Sequence, residues 1–266
     1  MRPFVVAELR ARRRMIAGLG AGAFTLLLIV GLAYHSIGLN ALGPAFGHHA
    51  PAAFTAFSGS HGGDILSPHG WMGFGFNHPM FLVVTLAVSI SVGAGAVAGE
   101  VDSGRAELLF TAPIARTRFL TASLAVWLAA EVAVLAAGWA GAMIGALFSG
   151  DLRHAGVAAL AWAPLQYLPL ALFVAACAFA ASAGARTHGR ANGIALGVTV
   201  FAYLLNVVSG LIGSLDWLRW LTPFGYYEPG RAIGDGLRIG PAALLTGVAV
   251  VLLVLARELA ERRDLA

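Results

Sequence analysis

Six long apolar segments run through this sequence, and they constrain its fold more than any other feature. They cover residues 15–34, 79–98, 120–148, 157–183, 193–212 and 241–256. About 20 apolar residues carry a helix across the hydrocarbon core of a bilayer. The chain is 59% hydrophobic and only 11% charged, whereas soluble domains carry about 25% charged residues. The sequence therefore predicts an all-α membrane protein with six transmembrane helices.

Arginine marks the predicted sides of the membrane, because cytoplasmic loops are enriched in basic residues. Thirteen of the 17 Arg residues lie in the N-terminus, the second connection, the fourth connection and the C-terminus, which a six-span chain places on one side. The opposite side holds Arg153, Arg219, Arg231 and Arg238. This distribution predicts that both termini are cytoplasmic. Residues 1–14, which are basic and partly apolar, are predicted to form an interfacial helix on the inner leaflet.

Two of the predicted outward segments are long. Residues 35–78 hold six of the eight His residues, no Arg, and several Gly and Pro residues. Residues 213–240 carry paired Trp and Tyr residues, which are typical of a short helix at the membrane interface. No internal repeat and no low-complexity linker divides the chain, so we predict one domain, residues 1–266.

The basic residues also exclude one activity. All 17 are Arg, and the chain has no Lys. A P-loop NTPase binds phosphate through a Lys, so this chain does not hydrolyse ATP by that route.

Residues 99–119, GEVDSGRAELLFTAPIARTRF, connect the second and third apolar segments, and we call them the charged connection. Two Gly residues flank an acidic turn, ELLF favours a short helix, Pro113 ends it, and Arg116 and Arg118 lead back to the membrane. Two interpretations follow from these residues. One is a short helix that docks into a groove of a soluble partner, its charges fixing the register. The other is a solvated loop that satisfies the enrichment of Arg on the inner side.

The charged connection resembles the segment between the second and third spans of ABC type-2 permeases, the membrane subunits of two-component ABC exporters. The shared elements are Gly99-Glu100, Gly104, Glu107-Leu108-Leu109, Pro113, and Arg116 with Arg118. Arg105-Ala106 stand where the family usually has Thr-Leu. A second similarity comprises Pro223, Phe224, Tyr226, Tyr227, Gly236 and the closing residues Arg262 to Leu265. Residues 35–78 match no pattern of this family.

The resemblance implies that the charged connection contains a coupling helix, which rests in a cleft of a separate ATPase subunit and transmits ATP-driven closure to the spans. The residues assigned to this contact are Glu100, Arg105, Glu107, Pro113 and Arg116, with Arg186 and Arg190 in the other short cytoplasmic connection. It also implies two ATPase subunits, which carry ATP and Mg, and a second permease copy or a homologue. No cofactor is expected in this chain. Nucleic acid is not an expected partner, because the net charge of +4 comes from Arg residues that face anionic lipid.

Two polar residues inside the predicted spans are candidates for a substrate path. Glu131 lies near the middle of the third span, where an ionisable side chain costs at least about 2.5 kcal/mol on insertion scales. It is either a substrate or proton-coupling site, or a carboxyl that hydrogen-bonds a neighbouring helix. Gln166 lies between Pro164 and Pro169 in the fourth span. Prolines there either free backbone carbonyls that line a path or simply kink the helix.

The outward His residues raise the question of metal binding, because imidazole is a good ligand for copper, zinc and nickel. The candidate ligands are His48, His61 and His69. No pair in this segment has the i, i+4 spacing of a helical site, and a polar outward loop is the alternative interpretation.

The sequence thus predicts the permease subunit of an ABC exporter in the cytoplasmic membrane of a prokaryote, which moves a small or lipid-like molecule and leaves ATP hydrolysis to a partner. One alternative is a permease of a metal-handling or metal-site maturation system. An intramembrane enzyme that uses Glu131 or the outward His residues is the alternative from another class. The substrate stays open among drugs, lipids, peptides and antibiotics, and so does a homodimer against a heterodimer.

Overall fold

The computed structural model describes residues 2–37, 67–102, 116–150 and 156–262. All regular structure in these ranges is helical, which confirms the predicted all-α class. The α-helices are α1 Arg2–Ile37, α2 Pro68–Asn77, α3 Pro79–Gly95, α4 Ala98–Asp102, α5 Arg116–Phe148, α6 Trp162–Gly184, α7 His188–Leu211, α8 Pro229–Asp235 and α9 Ile239–Arg262. The 3-10 helices of the same ranges are Val157–Ala161, Gly213–Leu221 and Pro223–Tyr226.

Five of the described helices, α1, α5, α6, α7 and α9, are long and apolar enough to cross a membrane, and α2 with α3 forms a sixth, broken candidate. The two halves of this pair meet at His78 with a bend of 46°. Pro79 causes the break, because it lacks an N–H and holds the preceding residue in an extended conformation. The six predicted spans are therefore present when the pair counts as one. The second begins earlier than predicted, since α2 lies inside the segment 35–78 that the sequence assigned to a loop.

The N-terminal residues also differ from the prediction. α1 is one helix of 36 residues, about 54 Å long at 1.5 Å per residue. The hydrocarbon core takes only about 30 Å of helix, so α1 extends well beyond it. Residues 2–14 are the first turns of this helix and not a separate interfacial helix.

Glycine allows two pairs of helices to pack with their backbones close together. A Cβ atom on Gly141 of α5 would lie 2.1 Å from the carbonyl oxygen of Phe24 in α1. A Cβ atom on Gly93 of α3 would lie 2.7 Å from the Cβ atom of Ala178 in α6. Neither site has room for a side chain, which is typical of close contacts between membrane helices. The backbones of α1 and α5, and those of α3 and α6, are therefore in close contact.

The Arg-rich segments meet at one end of the bundle. Phe4 of α1 packs edge-to-face on Phe119 of α5, with ring centroids 5.4 Å apart. At the same end, Ala260 of α9 clusters with Ala183 of α6 and Val97. The start of α1 and the end of α9 therefore lie on the side of the charged connection, as a six-span chain requires. That this side is cytoplasmic stays a prediction from the Arg distribution.

At the other end, residues 213–240 fold as short helices, as their composition predicts. Trp217 and Trp220 are about half exposed on the 3-10 helix Gly213–Leu221. The guanidinium carbon of Arg219 lies 4.5 Å from the centre of the Trp220 ring, a cation–π contact.

Candidate functional site

One serine of α6 forms hydrogen bonds with the backbone at the point where α3 ends and α4 begins. The Ser182 hydroxyl accepts hydrogen bonds from the backbone N–H groups of Val97 and Ala98, both at 2.9 Å, and donates one to the Ala94 carbonyl at 2.7 Å. Ser182 is fully buried. It satisfies backbone groups that the break between two helices leaves open. The start of α4, which leads into the charged connection, is thereby bound to α6.

The same turn contacts the start of α7. The Asp102 carboxylate accepts a hydrogen bond from the backbone N–H of His188 at 3.3 Å, and a negative charge is favourable at a helix N-terminus. The Thr187 hydroxyl caps this helix by accepting from the N–H of Arg190 at 3.3 Å. The second and fourth connections of the six-span chain are therefore linked to each other.

The N-terminal half of α1 also lies close to the contact between α4 and the start of α7. A Cβ atom on Gly95 would lie 3.3 Å from Nη2 of Arg12 and 3.5 Å from Cε1 of His188. Arg12 forms an ion pair with Glu8 at 2.8 Å, and both line a small depression together with Glu100. We call the meeting point of α1, α3, α4, α6 and α7 the junction.

The junction gathers some of the residues predicted to couple the protein to an ATPase. Glu100 is half-buried within it, and Arg186 and Arg190 are exposed beside it. Arg105, Glu107 and Pro113 lie outside the described residues, as does the side chain of Arg116, whose backbone begins α5. The coupling role of all seven residues stays a prediction.

Glu131 lies in the interface between α5 and α3, fully buried. The Ser89 hydroxyl donates a hydrogen bond to Glu131 Oε2 at 2.9 Å, and the indole N–H of Trp127 donates to the Ser89 oxygen at 2.9 Å. The other carboxyl oxygen, Oε1, has no hydrogen-bond partner among the described residues. Of the two interpretations drawn from the sequence, this geometry corresponds to a hydrogen bond with a neighbouring helix. A part in a substrate path stays a prediction.

Gln166 lies near the opposite end of α6 from the junction. Its Oε1 accepts a hydrogen bond from the backbone N–H of Arg238 at 3.0 Å. Arg238 is also ion-paired with Glu228. Gln166 therefore connects α6 to the segment that precedes α9, and α6 continues through Pro169 without a break.

The candidate metal ligands are not brought together in the described part of the chain. His69 lies in α2 near Gly234, whose Cβ atom would be 3.9 Å from the His69 Nδ1 atom. His48 and His61 lie outside the described residues. Within those residues, no group of three or more His, Cys, Asp and Glu side chains is arranged to hold a metal ion.

A groove that the sequence did not indicate opens between α3 and α7, with a volume of 420 Å³. Apolar side chains such as Leu86 and Leu196 form most of its walls, and no charged residue lines it within the described chain. Two residues that line it, Asn192 and Tyr203, each carry a buried polar atom, Oδ1 and the hydroxyl oxygen, that has no hydrogen-bond partner among the described residues. They are eleven positions apart on α7, about 16 Å along the helix axis.

Comparison with protein families decides the class of this bundle. The sequence model of the family described as multidrug efflux system permease Rv1217c, C-terminal domain, matches residues 3–257. The chain belongs to this family. No curated protein sequence matches it significantly.

Membership in this multidrug efflux permease family supports a transporter permease rather than an intramembrane enzyme. It agrees with the helices that are long and apolar enough to cross a membrane. The matched residues 3–257 include the junction, Glu131 and the groove between α3 and α7.

Sequence reasoning identified Glu131 but missed Ser182 and the groove. A single Ser within an apolar run carries no signal of its own, because its partners are backbone N–H groups. Those groups become available only where α3 ends. The groove was missed because its apolar walls have the same composition as surfaces that face lipid.

Proposed function

We propose that this efflux permease is the membrane subunit of an ABC exporter of the type-2 class, and that a separate chain hydrolyses the ATP. Two ATPase subunits carry ATP and Mg, and a second permease copy or a homologue completes the transporter. The complex lies in the cytoplasmic membrane of a prokaryote, with the Arg-rich end of the bundle toward the ATPase subunits.

The observation that carries this proposal is the junction. The helix α4, which leads into the charged connection, is bound to α6 through the hydrogen bond of Ala98 with Ser182 at 2.9 Å and to α7 through Asp102 at 3.3 Å. A solvated loop needs no such attachment. A connection that must pass a displacement from a soluble partner to several membrane helices does need it.

The attachments also suggest which helices move together. α3 and α6 are in close contact at Gly93 and Ala178, and Ser182 joins them again one turn further on. A force on the charged connection would therefore displace α3, α6 and the start of α7 as one body. This displacement changes the groove between α3 and α7 only if α7 bends or tilts away from its fixed first turn.

The groove between α3 and α7 is our candidate for the substrate site. Its apolar walls, which include the polar residues Asn192 and Tyr203, suit an uncharged, mostly apolar molecule with a few hydrogen-bonding groups. Ligand sites of this kind are typically apolar with a few polar groups that fix orientation. Such a molecule partitions into the bilayer and enters the groove from the side.

Co-expression with a candidate ATPase subunit, chosen as a P-loop ATPase from the same genome, tests the proposal. We expect the tagged permease to retain the ATPase through purification and to change its rate of ATP hydrolysis. The double charge reversal Glu107→Arg with Arg116→Glu should weaken this association. The matched control is Glu258→Arg with Arg262→Glu, which reverses an exposed ion pair of α9 at the same end of the bundle and should leave association intact. A wild-type permease that neither binds the ATPase nor alters its activity contradicts the proposed function.

A further inference from the structure

The helices α2 and α3 meet at His78 with a bend of 46°, and they pack mainly on different neighbours. The indole N–H of Trp71 in α2 donates a hydrogen bond to the Val30 carbonyl of α1 at 2.8 Å. The Tyr227 hydroxyl donates to the Phe76 carbonyl of α2 at 3.2 Å. α3 packs mainly on α6 and α5, and its backbone is in close contact with that of α6. The break therefore separates two halves that other helices hold in place.

The side chain of His78 contacts both halves. Its imidazole packs edge-to-face on the Phe74 ring of α2, with ring centroids 5.3 Å apart. Its Nδ1 atom accepts a hydrogen bond from the backbone N–H of Met80, in the first turn of α3, at 3.2 Å. This bond caps α3, because it satisfies one of the N–H groups that the start of a helix leaves open. His78 thus connects α2 to α3 through its side chain as well as its backbone.

The cap on α3 depends on the protonation of His78. A protonated imidazole carries an N–H at both nitrogens and has no acceptor left for the Met80 N–H. It also places a positive charge at a helix N-terminus, which is unfavourable. Histidine is the side chain that ordinarily titrates between about pH 5 and 8. The cap is therefore present while the imidazole is neutral and is lost as the pH falls through its titration.

The described surroundings of His78 offer no charge in place of the cap. The side chain is partly exposed, so water can supply the proton. No charged side chain of the described residues acts on the imidazole. Across the groove, α7 contributes Tyr203, a phenol that is neutral in this pH range. The described carboxyl and imidazole groups elsewhere at this end of the bundle are those of His69, Asp216, Glu228 and Asp235.

The capped turn also forms part of the groove between α3 and α7. Pro79, Leu82 and Val83 line the groove directly after His78. Val83 is 70% exposed. Loss of the cap therefore loosens a turn whose side chains form the wall of the groove at the end opposite the junction.

We propose that His78 is a pH-sensitive bridge between α2 and α3, and that its protonation releases the first turn of α3 and alters the groove beside it. Hinges in proteins are a few residues at the ends of helices or strands, as His78 is here. In the proposed transporter, the substrate site then responds to the pH on the side opposite the ATPase subunits. This consequence rests on the proposed function, whereas the bridge itself does not.

The bridge is tested on the full chain in nanodiscs by nuclear magnetic resonance. The chain has five Met residues, so ¹⁵N-labelled methionine gives few amide signals, and Met80→Leu assigns the signal of Met80. From about pH 8 to pH 5, we expect this amide signal to shift in one transition. Its protection against hydrogen exchange, corrected for the intrinsic rate at each pH, should fall about five-fold, the usual effect of losing a cap. Met72, buried in α2, is the internal control and should keep its protection.

Two variants locate the effect in the imidazole. His78→Asn keeps a side-chain acceptor that does not titrate, so Met80 should stay protected over the whole pH range. His78→Ala has no acceptor and should show the low protection at every pH. An unchanged Met72 signal shows that each variant is folded. Absence of the transition from the wild type, or its persistence in His78→Asn, overturns the proposal.

A fluorescent label reports on the groove wall. Bimane is attached at Val83→Cys in a chain that also carries Cys177→Ser, which removes the only native Cys. Its emission should shift over the same pH range as the Met80 signal, and the shift should be absent when His78→Asn is added. Emission that does not follow the Met80 transition overturns the effect on the groove. Both readouts need no ATPase and no substrate, so their outcome is independent of the proposed function.

Discussion

Ser182 and Glu131 are both polar, fully buried and located between membrane helices, but their hydrogen bonding differs. The Ser182 hydroxyl takes part in three hydrogen bonds of 2.9 Å or less. Glu131 uses one carboxyl oxygen, at 2.9 Å from Ser89, and the other oxygen has no partner among the described residues. A buried polar group whose hydrogen-bonding atoms all have partners makes its surroundings rigid. A buried polar group that leaves one of these atoms without a partner lowers the stability of the fold.

The difference separates two kinds of site. The bonds of Ser182 are explained by the fold alone, since they complete the backbone where α3 gives way to α4. Glu131 is not explained in this way, because an apolar side chain would fill the same space without an unpaired oxygen. The Ser182 region is therefore a rigid contact between helices, and Glu131 is the residue for which a role beyond stability must be tested.

The largest effect on stability is expected for Ser182→Ala. It leaves the backbone N–H groups of Val97 and Ala98 buried without an acceptor, which should lower the free energy of unfolding by about 3 kcal/mol. Thermal unfolding in detergent measures this loss of stability. The control is Ser149→Ala, because the buried Ser149 hydroxyl has no hydrogen-bond partner among the described residues. Equal melting temperatures for the two variants would show that the hydrogen bonds of Ser182 do not stabilise the contact between α3 and α6.

Gly93→Ala tests the same region through packing. The new Cβ atom would lie 2.7 Å from Ala178 Cβ and 2.9 Å from the Ala175 carbonyl oxygen, so α3 must move away from α6. We expect a loss of about 2 kcal/mol. Gly197→Ala on α7 is the control, since nothing lies within 4 Å of its Cβ position, and it should be neutral or slightly stabilising. A neutral Gly93→Ala would mean that α3 and α6 are not held together.

Substitutions of Glu131 should have a smaller effect on stability. Glu131→Gln retains an acceptor for Ser89, so it should change the free energy of unfolding by less than about 1 kcal/mol. Glu131→Leu removes the unpaired oxygen but also the acceptor of the buried Ser89 hydroxyl, so its effect should be the larger of the two. Transport measured on the same variants then reports whether the carboxyl has a role beyond stability. A loss of stability as large as that of Ser182→Ala would show that Glu131 stabilises the contact between α3 and α5. Glu131 and Ser182 would then have the same structural role.

The smallest effect is expected for Asp102→Asn. Asn keeps an acceptor for the His188 N–H and removes only the charge at the start of α7, worth about 0.5 kcal/mol at an exposed helix N-terminus. Thermal unfolding at low and high salt checks this, because salt screens the effect of the charge. A difference between the variant and the wild type that is unchanged at high salt would contradict an electrostatic role.

The number of spans and the all-α class were predictable, because each depends on the length of apolar runs. The helix α2, PHGWMGFGFN, was not, since Gly disfavours helices and its sequence indicates a loop. Its glycines serve close packing instead. A Cβ atom on Gly73 would lie 2.3 Å from the Cα atom of Gly230, and one on Gly75 would lie 2.8 Å from Val30 Cγ1.

The candidate site was only partly predictable for a related reason. Charge revealed Glu131 and the charged connection, because charged residues are rare in this chain. The junction depends on where α3 ends, on Ser182 reaching across from α6, and on Asp102 meeting the first turn of α7. These contacts join positions more than 80 residues apart, and no local pattern indicates them.

The proposed function requires that the junction transmits the movement of the ATPase to the membrane helices. The direct test is the number of substrate molecules transported per ATP hydrolysed, in proteoliposomes that contain the permease and its ATPase. For Ser182→Ala, compared with Ser149→Ala, we expect that ATP hydrolysis continues while this ratio falls at least about five-fold, the lower range of coupling between two sites. A folded Ser182→Ala variant with the wild-type ratio would show that the junction does not couple ATP hydrolysis to transport.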